Sequence, residues 1–484
     1  MTDRHHDGAR MHRFDPAMER VAHHIVLYAL DRIRLDPPPL DHPRRPAELD
    51  ALGATVTADG IGGMEALALF CDHLAPATIS QDHPRNVAFV PCAPTEAAVL
   101  FDLVVGASSI FGGSWMEGAG AVWAENQALR WLADLAGFPV GAGGVFVSGG
   151  TAGNLSALVA ARARAMATWD TSGRARPSRW VVAASDGAHS SIAAAARVMD
   201  IDVLRVSTDD TGHMRADGLR AALLDAASNG TRAAPNRAAA AGLFAIVATA
   251  GTTNAGTIDD LTGAADVAEE HGLWLHVDGA YGAAALVAPS VRKRFRGIER
   301  ADSFVVDPHK WLFAPYDCAA LVYREPSLGA EAHTQHAGYL EVLHDPGEWN
   351  PSDYAFHLTR RARGLPFWFS LATHGTDAYR DAVELSLSLT RDIADVIRAD
   401  SELDLVQDPE LSVVLFRRRG WTEPDYHEWS DRLLAAQHGF CVPTTVATRA
   451  AGRETVLRFC VTHPRTTLDD LRAILETLHV NAPT

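Results

Sequence analysis

The chain contains only two lysines, and one of them stands where a reactive amine would be useful. Lys293 lies among arginines in VRKRFRG and is typical of a solvated surface charge, whereas Lys310 lies in DPHKW after an apolar run. Arginine can replace a surface lysine at little cost, but a guanidinium stays protonated and is a poor nucleophile for imine formation. Lys310 is therefore a candidate nucleophile. The alternative is an ordinary cation that reaches solvent along its apolar stem.

A glycine-rich segment with the composition of an anion site lies at Ser148–Asn154, SGGTAGN. It follows an apolar run and opens an Ala-rich stretch of helical composition. Glycines allow backbone N–H groups to approach an anion closely, and a helix N-terminus favours negative charge. Gly149, Gly150 and Thr151 are thus candidates for a phosphate cradle without the lysine of a P-loop. The alternative is a tight strand-to-helix turn capped by Thr151.

Other polar residues follow strand-like runs in the same way. Asp278 ends LWLHVD, where a carboxylate could pair with a protonated pyridine nitrogen or simply cap a helix. His189, in SDGAHSS, could stack on an aromatic ring, although a lone histidine is more often structural. Asp307 and His309 directly precede Lys310, and His309 could equally be a satisfied core histidine. Together with the glycine-rich segment, these residues suit a phosphorylated pyridine aldehyde.

The elements that carry these segments predict an α/β fold. Between about residues 95 and 325, apolar runs of strand length alternate with Ala-rich helical stretches. This pattern indicates a mostly parallel sheet flanked by helices, and such sheets bind ligands at the carboxyl ends of their strands. The predicted strands are 145–147, 180–184, 203–206, 243–249, 273–277, 303–306 and 319–322. The predicted helices in this region are 151–166, 190–198 and 216–227.

The whole chain is predicted to form three regions. These are an N-terminal helical arm at 1–90, a large domain at 91–370 and a small C-terminal α+β domain at 371–484. Residues 227–242 have the composition of a surface insertion, and 329–354 that of a long functional loop. The remaining predicted helices are 18–33, 63–74, 367–398, 426–437 and 467–478, and the remaining predicted strands are 412–416 and 456–461.

Composition argues against several classes of partner. The net charge of −17 argues against a general role at nucleic acid or an anionic membrane, because both partners are negatively charged as well. The chain has no apolar run of about 18 residues and no apolar stretch near its start, so we expect no membrane partner and a cytoplasmic location. Its five cysteines are scattered without a CxxC pair, and HExxH is absent, so no metal site is expected.

Taken in order, the motifs resemble those of the group II pyridoxal-phosphate decarboxylases of fold type I. That family includes the aromatic L-amino acid, histidine, glutamate and diaminobutyrate decarboxylases. The resemblance runs from about His83 to Arg363, and the 32-residue step from Asp278 to Lys310 also matches. It rests on SGGTAGN, SDGAHSS, HVDGAYGAAA, DPHKW and LTRRARGLPFWF. It implies pyridoxal 5′-phosphate as cofactor, an L-amino acid as substrate, an amine and CO2 as products, and a homodimer with its active site at the interface.

The resemblance implies a role for each matching residue around the cofactor. Lys310 would hold it as a Schiff base, Asp278 would pair with the pyridine nitrogen, and His189 and Ala280 would lie against the two ring faces. Thr252, in TAGTTNAG, would lie near the ring. The groups around the phosphate would be Gly149, Gly150, Thr151, Asp307 and His309.

The resemblance also implies substrate contacts. Tyr339, in GYLE, matches a loop tyrosine that protonates the carbon left by loss of CO2. The predicted substrate-binding residues are Val90, Gly113, Thr359 and Arg458. Val90 and Gly113 stand at positions that are often aromatic in the aromatic L-amino acid decarboxylases. The resemblance therefore does not specify the side chain of the substrate. Decarboxylation-dependent oxidative deamination to an aldehyde is the alternative reaction, with other lyase or transaminase chemistry behind it.

Overall fold

The computed structural model describes residues 10–173, 176–228, 242–338, 347–448 and 452–479. Most of the predicted insertion and part of the predicted loop, including Tyr339, lie outside these ranges. The α-helices are α1 (Pro16–Arg34), α2 (Pro46–Asp50), α3 (Gly63–Leu69), α4 (Glu96–Ala107), α5 (Trp115–Leu135), α6 (Gly150–Thr171), α7 (Ser190–Met199), α8 (Ala216–Ser228), α9 (Leu261–His271), α10 (Pro308–Trp311), α11 (Pro326–His333), α12 (Leu365–His374), α13 (Thr376–Ala399), α14 (Glu423–Ala435) and α15 (Leu468–Glu476). The strands are β1 (Gly143–Val147), β2 (Val181–Ser185), β3 (Asp202–Val206), β4 (Leu243–Thr249), β5 (Trp274–Asp278), β6 (Ser303–Val306), β7 (Ala319–Tyr323), β8 (Leu403–Leu405), β9 (Val413–Arg418), β10 (Thr444–Thr448) and β11 (Gly452–Cys460).

The larger sheet has seven strands in the order β1-β7-β6-β5-β4-β2-β3. Strands β3, β2, β4, β5 and β6 run parallel, and β7 is antiparallel to both β6 and β1. Every residue of β2, β5, β6 and β7 is buried, as expected for strands covered by helices on both faces. The predicted mostly parallel α/β sheet is confirmed. Thr249 pairs with Asp278 in the register, so β4 and β5 end at the same level.

A second, antiparallel sheet lies towards the C-terminus, in the order β10-β11-β9-β8. Helices α13, α14 and α15 contribute Ile393, Trp429 and Leu471 to a buried apolar cluster with the strands. Val87 belongs to this cluster too, although it lies far away in the chain. The small α+β region therefore has its own core, while the predicted boundaries at 90 and 370 stay predictions.

The prediction of one long helix over 367–398 was wrong. Two helices, α12 and α13, occupy this stretch and are separated at Gly375, whose φ is +75°. A left-handed residue cannot continue a right-handed helix, and glycine adopts that conformation without a steric penalty. The predicted loop at 329–354 also begins inside a helix, because α11 ends only at His333.

A buried ion pair joins α5 to the segment before α12. The Arg360 and Glu125 side chains are 0% and 2% exposed, and their two Nη–Oε distances are 2.7 and 2.9 Å. Arg360 also donates to the carbonyl oxygens of Gly112 and Phe146, while Glu125 accepts from the backbone N–H of Gly364. Removing Arg360 would take the cation from Glu125 and a donor from the two carbonyl oxygens, whereas removing Glu125 would take the anion from Arg360 and the acceptor from the Gly364 N–H.

We expect Arg360→Leu to lower the free energy of unfolding by about 3–5 kcal/mol, because it leaves the Glu125 carboxylate buried without a cation. The matched control is Arg361→Leu. Arg361 pairs with Asp102 at 2.7 Å, but its side chain is 41% exposed, so its loss should cost about 0–1 kcal/mol. Urea unfolding of both variants measures the difference. Equal costs would contradict this account of the ion pair.

Two kinds of feature are absent from the described residues. No helix there is long and apolar enough to cross a membrane. No group of three or more His, Cys, Asp or Glu side chains there is arranged to hold a metal ion.

Candidate active site

A cavity of about 250 Å³ opens at the carboxyl ends of β1, β2, β4, β5 and β6. Parallel strands bring the residues that follow them to one edge of the sheet, which explains why segments far apart in sequence meet here. The predicted site residues that line it are Gly149, Gly150, Thr151, His189, Asp278, Ala280, Asp307, His309 and Lys310. Nine of the predicted site residues thus lie around one cavity, while their roles stay predictions.

The glycine-rich segment forms the turn from β1 into α6. Gly149 is the N-cap of this helix and provides no side-chain cap, and the N–H groups of Gly150 and Thr151 have no hydrogen-bond partner among the described residues. A Cβ atom on Gly150 would lie 2.8 Å from the Cβ of Ala280 and 3.3 Å from both carboxylate oxygens of Asp307. Glycine thus keeps this corner of the cavity open next to a helix N-terminus that favours an anion.

The amine of Lys310 faces a carboxylate. Its Nζ lies 2.9 Å from Oδ2 of Asp307, whose side chain is only 2% exposed. Burial is the largest single effect and lowers the pKa of Lys310, but the charge and hydrogen bond of Asp307, together with the charge of Asp278, outweigh it and raise the pKa above its usual value. The amine is therefore held as an ammonium beside Asp307. The second oxygen of Asp307, Oδ1, has no hydrogen-bond partner among the described residues.

His309 fixes the other side of this corner. Its Nδ1 lies 2.7 Å from the carbonyl oxygen of Cys318, and its Nε2 lies 3.7 Å from Oδ2 of Asp307. Burial lowers the pKa of His309, and the Asp307 charge opposes that effect. The ring of Tyr316 packs against it with 4.8 Å between centroids, and Tyr316 is 51% exposed at the cavity.

Asp278 is a buried carboxylate at the end of β5, with 4% of its surface exposed. Its Oδ2 accepts from Nδ2 of Asn154 at 2.9 Å, and its Oδ1 accepts from the backbone N–H of Ala280 at 3.2 Å. Each oxygen keeps a free lone pair, so Asp278 can accept a further hydrogen bond from a cationic group in the cavity.

His189 lies at the N-cap of α7, across the cavity from α10. Its Nδ1 accepts from the backbone N–H of Ser191 at 3.2 Å and lies 2.9 Å from the Ser191 hydroxyl. The ring is exposed, so one face is available to a flat ligand.

Comparison with known proteins identifies the family. The family model described as the pyridoxal-dependent decarboxylase conserved domain matches residues 68–419. The chain belongs to the pyridoxal-dependent decarboxylase family. It is 30% identical over 404 residues to an aromatic-L-amino-acid decarboxylase of Bacillus atrophaeus, covering 81% of this chain and 80% of that protein. It is 26% identical over 385 residues to an L-2,4-diaminobutyrate decarboxylase of Acinetobacter baumannii, covering 76% and 73%.

The fold of this decarboxylase matches a solved structure as well. The crystal structure of Oryza sativa TDC with PLP and tryptamine has a TM-score of 0.86, with 24% identity and coverage of 96% of this chain and 99% of that chain. This similarity shows the fold, which is fold type I. The protein is accordingly a pyridoxal 5′-phosphate-dependent amino-acid decarboxylase.

The cavity residues fit this cofactor. Anion-binding N–H groups at the start of α6 suit a phosphate, and the Asp278 carboxylate suits a pyridinium nitrogen. The buried hydroxyl of Thr249 lines the same cavity and has no hydrogen-bond partner among the described residues, so a polar ligand would satisfy it. When bound, pyridoxal phosphate supplies an electron sink for the bond that breaks at the substrate α-carbon.

Other predicted site residues of the decarboxylase do not line the cavity. Thr252 is buried, and its hydroxyl accepts from the backbone N–H of Thr257 at 3.1 Å; its neighbour Thr253 lines the cavity instead. The four predicted substrate residues also lie outside the lining. They are Val90, Gly113, Thr359 and Arg458. Their roles, and that of Tyr339, stay predictions.

The structure adds residues for which sequence analysis proposed no role. Thr249 could have been found, because it is the last residue of a predicted strand. Asn154 lies in the quoted SGGTAGN motif, but nothing in the motif shows that its side chain reaches Asp278. Tyr281 likewise lies in the quoted HVDGAYGAAA motif, whereas Tyr316 gave no such signal, because a loop brings it to the cavity. The complete lining is these four residues with Ser148, Gly251, Thr253 and the predicted residues named above.

Proposed function

We propose that this decarboxylase converts an L-amino acid to the corresponding amine and CO2, and that Lys310 is the residue that binds the cofactor covalently. The observation that carries this proposal is the position of the Lys310 amine, which shares one cavity with the glycine-rich helix start and the Asp278 carboxylate. In this proposal Gly149, Gly150 and Thr151 hold the phosphate through backbone N–H groups.

The remaining cavity residues would divide the other tasks. Asp278 would hold a proton at the pyridine nitrogen, and His189 would lie against one face of the ring with Ala280 on the other. His309 would bind near the phosphate. Asp307 contacts the Lys310 ammonium in the structure, and its negative charge disfavours direct contact with a phosphate. We therefore assign Asp307 to hold and later release Lys310, while Tyr339 would donate a proton to the α-carbon.

The substrate carboxylate would bind Arg458. This side chain is 5% exposed, and its Nε and Nη2 groups have no hydrogen-bond partner among the described residues, while Nη1 donates to the carbonyl oxygen of Phe89 at 2.5 Å. A buried guanidinium with free N–H groups is costly unless an anion pairs with it. Arg458 lies within electrostatic range of Tyr281, which lines the cavity.

We expect Arg458→Leu to raise the KM for the amino acid about 10- to 100-fold, the effect of one charge-assisted hydrogen-bonding group. The control is Arg453→Leu, which removes an exposed arginine from the same strand, β11. Steady-state kinetics of both variants measure the effect. An unchanged KM for Arg458→Leu would remove the proposed role.

Products measured from single amino acids test the reaction. Aromatic L-amino acids come first because a 30% identical relative is an aromatic-L-amino-acid decarboxylase, followed by histidine, glutamate and 2,4-diaminobutyrate. We expect amine and CO2 in equal amounts without oxygen uptake. Oxidative deamination would instead consume one O2 for each CO2 released and give one aldehyde, one ammonia and one hydrogen peroxide. That result would contradict the proposed formation of an amine. No CO2 from the whole panel would overturn both.

We also propose that two copies of the chain form a dimer through the arm. No residue of α1, α2 or α3 is buried, although these helices carry large apolar side chains. Exposed apolar surface of this extent is typical of a protein interface, and a second copy would cover it. The exposed apolar residues of α1 and of the helices after it include Met18, Ile25, Leu27, Met64, Phe70, Leu103, Met116 and Trp123.

Light scattering of the wild-type chain should therefore give twice the mass of one copy. Met18→Glu combined with Ile25→Glu should give monomers, because two charges seven residues apart on one face of α1 would be buried without partners. Val140→Glu is the control, since Val140 is 93% exposed outside the arm. A wild-type monomer would refute the proposed dimer.

A further inference from the structure

Asp278 belongs to a buried hydrogen-bond network that extends well beyond the cavity. His276 and Asp278 are two residues apart on β5, so their side chains point to the same face of the sheet. Helix α6 packs on β5 and places Asn154 against both of them. Asn154 lies 2.8 Å from His276 through Oδ1 and 2.9 Å from Asp278 through Nδ2.

The network continues in both directions from this pair. Beyond His276, Nδ1 lies 2.8 Å from the Ser303 hydroxyl, which accepts from the indole N–H of Trp274 at 2.9 Å. On the other side, Nδ2 of Asn154 also donates to the Ser191 hydroxyl at 2.9 Å, and that hydroxyl lies 2.9 Å from Nδ1 of His189. Five members of the network are each at most 4% exposed: Trp274, Ser303, His276, Asn154 and Asp278.

The carboxylate end of this network fixes the direction of the hydrogen bonds at Asn154. A carboxylate and an amide oxygen can only accept from an N–H group. Nδ2 of Asn154 therefore donates to Asp278, and Nε2 of His276 donates to Oδ1 of Asn154. Reversing the Asn154 amide would place its oxygen against the Asp278 carboxylate, where two acceptors would repel. His276 thus carries a proton on Nε2, and in its neutral form Nδ1 can accept from the Ser303 hydroxyl, which itself accepts from the Trp274 indole.

Burial favours the same neutral form. It lowers the pKa of His276 to about 4, although the charge of Asp278 opposes this effect. The second N–H of the Asn154 amide donates to the Ser191 hydroxyl. That hydroxyl then donates to Nδ1 of His189. One amide therefore sets the orientation of the carboxylate and, through Ser191, that of the imidazole at the cavity.

We infer that Asn154 and His276 are positioning residues, which hold the Asp278 carboxylate oriented into the cavity and couple it to the His189 ring. This inference rests on the proposed role of Asp278 towards the pyridine nitrogen. Neither Asn154 Oδ1 nor His276 touches the reacting atoms, so both act through Asp278. Pre-oriented partners behind a charged group are the usual means of fixing its geometry.

Nuclear magnetic resonance of the apo protein tests the network without the cofactor. With 15N-labelled histidine, we expect the His276 signals, identified by their loss in His276→Gln, to show a protonated Nε2 and an unprotonated Nδ1 from about pH 6 to 8. A proton on Nδ1, or a charged ring at neutral pH, would overturn the inference. This result does not depend on whether the protein decarboxylates anything.

Cofactor binding tests the positioning role. We expect His276→Phe to weaken pyridoxal phosphate binding about tenfold or more and to shift the pH dependence of the visible absorbance of the bound cofactor, because two buried partners lose their bonds. The glutamine in His276→Gln can donate and accept hydrogen bonds at a similar distance from the backbone. The dissociation constant of this variant for pyridoxal phosphate should therefore stay within about threefold of wild type. The control is His333→Phe, which removes a buried histidine whose Nε2 lies 3.0 Å from the carbonyl oxygen of Ser156.

The control variant should lose thermal stability while keeping the cofactor affinity and absorbance of wild type. Wild-type affinity in His276→Phe, or an equal loss in His276→Gln, would refute the inference. If His276→Phe does not fold, the inference is tested by the tautomer of His276 in the apo protein, measured by nuclear magnetic resonance. A wild-type chain that binds no pyridoxal phosphate would instead overturn the proposed function.

Discussion

Lys310→Arg should abolish decarboxylation, lowering kcat by about 10³-fold or more, because arginine stays protonated and cannot form the covalent bond to the cofactor. The variant should still fold, since a guanidinium can keep the ion pair with Asp307. Borohydride reduction followed by peptide mapping measures the bond directly. Wild-type protein should carry the pyridoxyl mass on the peptide that contains Lys310, and the variant should carry none.

The chain provides an unusually clean control for this experiment. Its only other lysine, Lys293, is exposed on the surface, so Lys293→Arg should keep full activity and full labelling. Each variant keeps one lysine, so a comparison of the two shows whether activity and labelling depend on the amine at position 310 or only on the number of lysines. Labelling of Lys293, or labelling that survives in Lys310→Arg, would contradict the proposed function.

Asp278→Asn should lower kcat by about 10²- to 10³-fold, the usual effect of removing one pre-oriented electrostatic group from an active site. Asparagine keeps the shape and can still accept from Nδ2 of Asn154, but its neutral amide cannot hold a positive charge at the pyridine nitrogen. The rate of CO2 release and the absorbance of the bound cofactor measure the loss.

The matched control for this variant is Asp302→Asn. Asp302 lies at the opposite edge of the same sheet, where it accepts from the backbone N–H of Leu275 and pairs with Arg164. We expect that change to lower stability and leave kcat unaltered. A D278N enzyme with wild-type kcat would show that the carboxylate is not needed for the reaction.

The amino-acid sequence alone predicted the chemistry and the general fold. Lys310 is singled out by the near absence of lysine, and the strand-like runs before Gly149, His189, Asp278 and Asp307 placed polar groups where α/β sheets bind ligands. These signals are local. A run of apolar residues, a glycine-rich turn or a reactive side chain depends on neighbours in the chain, so it can be read without the fold.

Tertiary structure decided the relations between distant segments. Only packing of α6 on β5 shows that Asn154 joins His276 to Asp278, and only the loop after α10 brings Tyr316 to the cavity. The break at Gly375, which divides the one predicted helix into two, required the φ angle of this residue to be known. Hydrogen bonds and burial between residues far apart depend on how elements pack, and no periodicity or spacing within one segment specifies that arrangement.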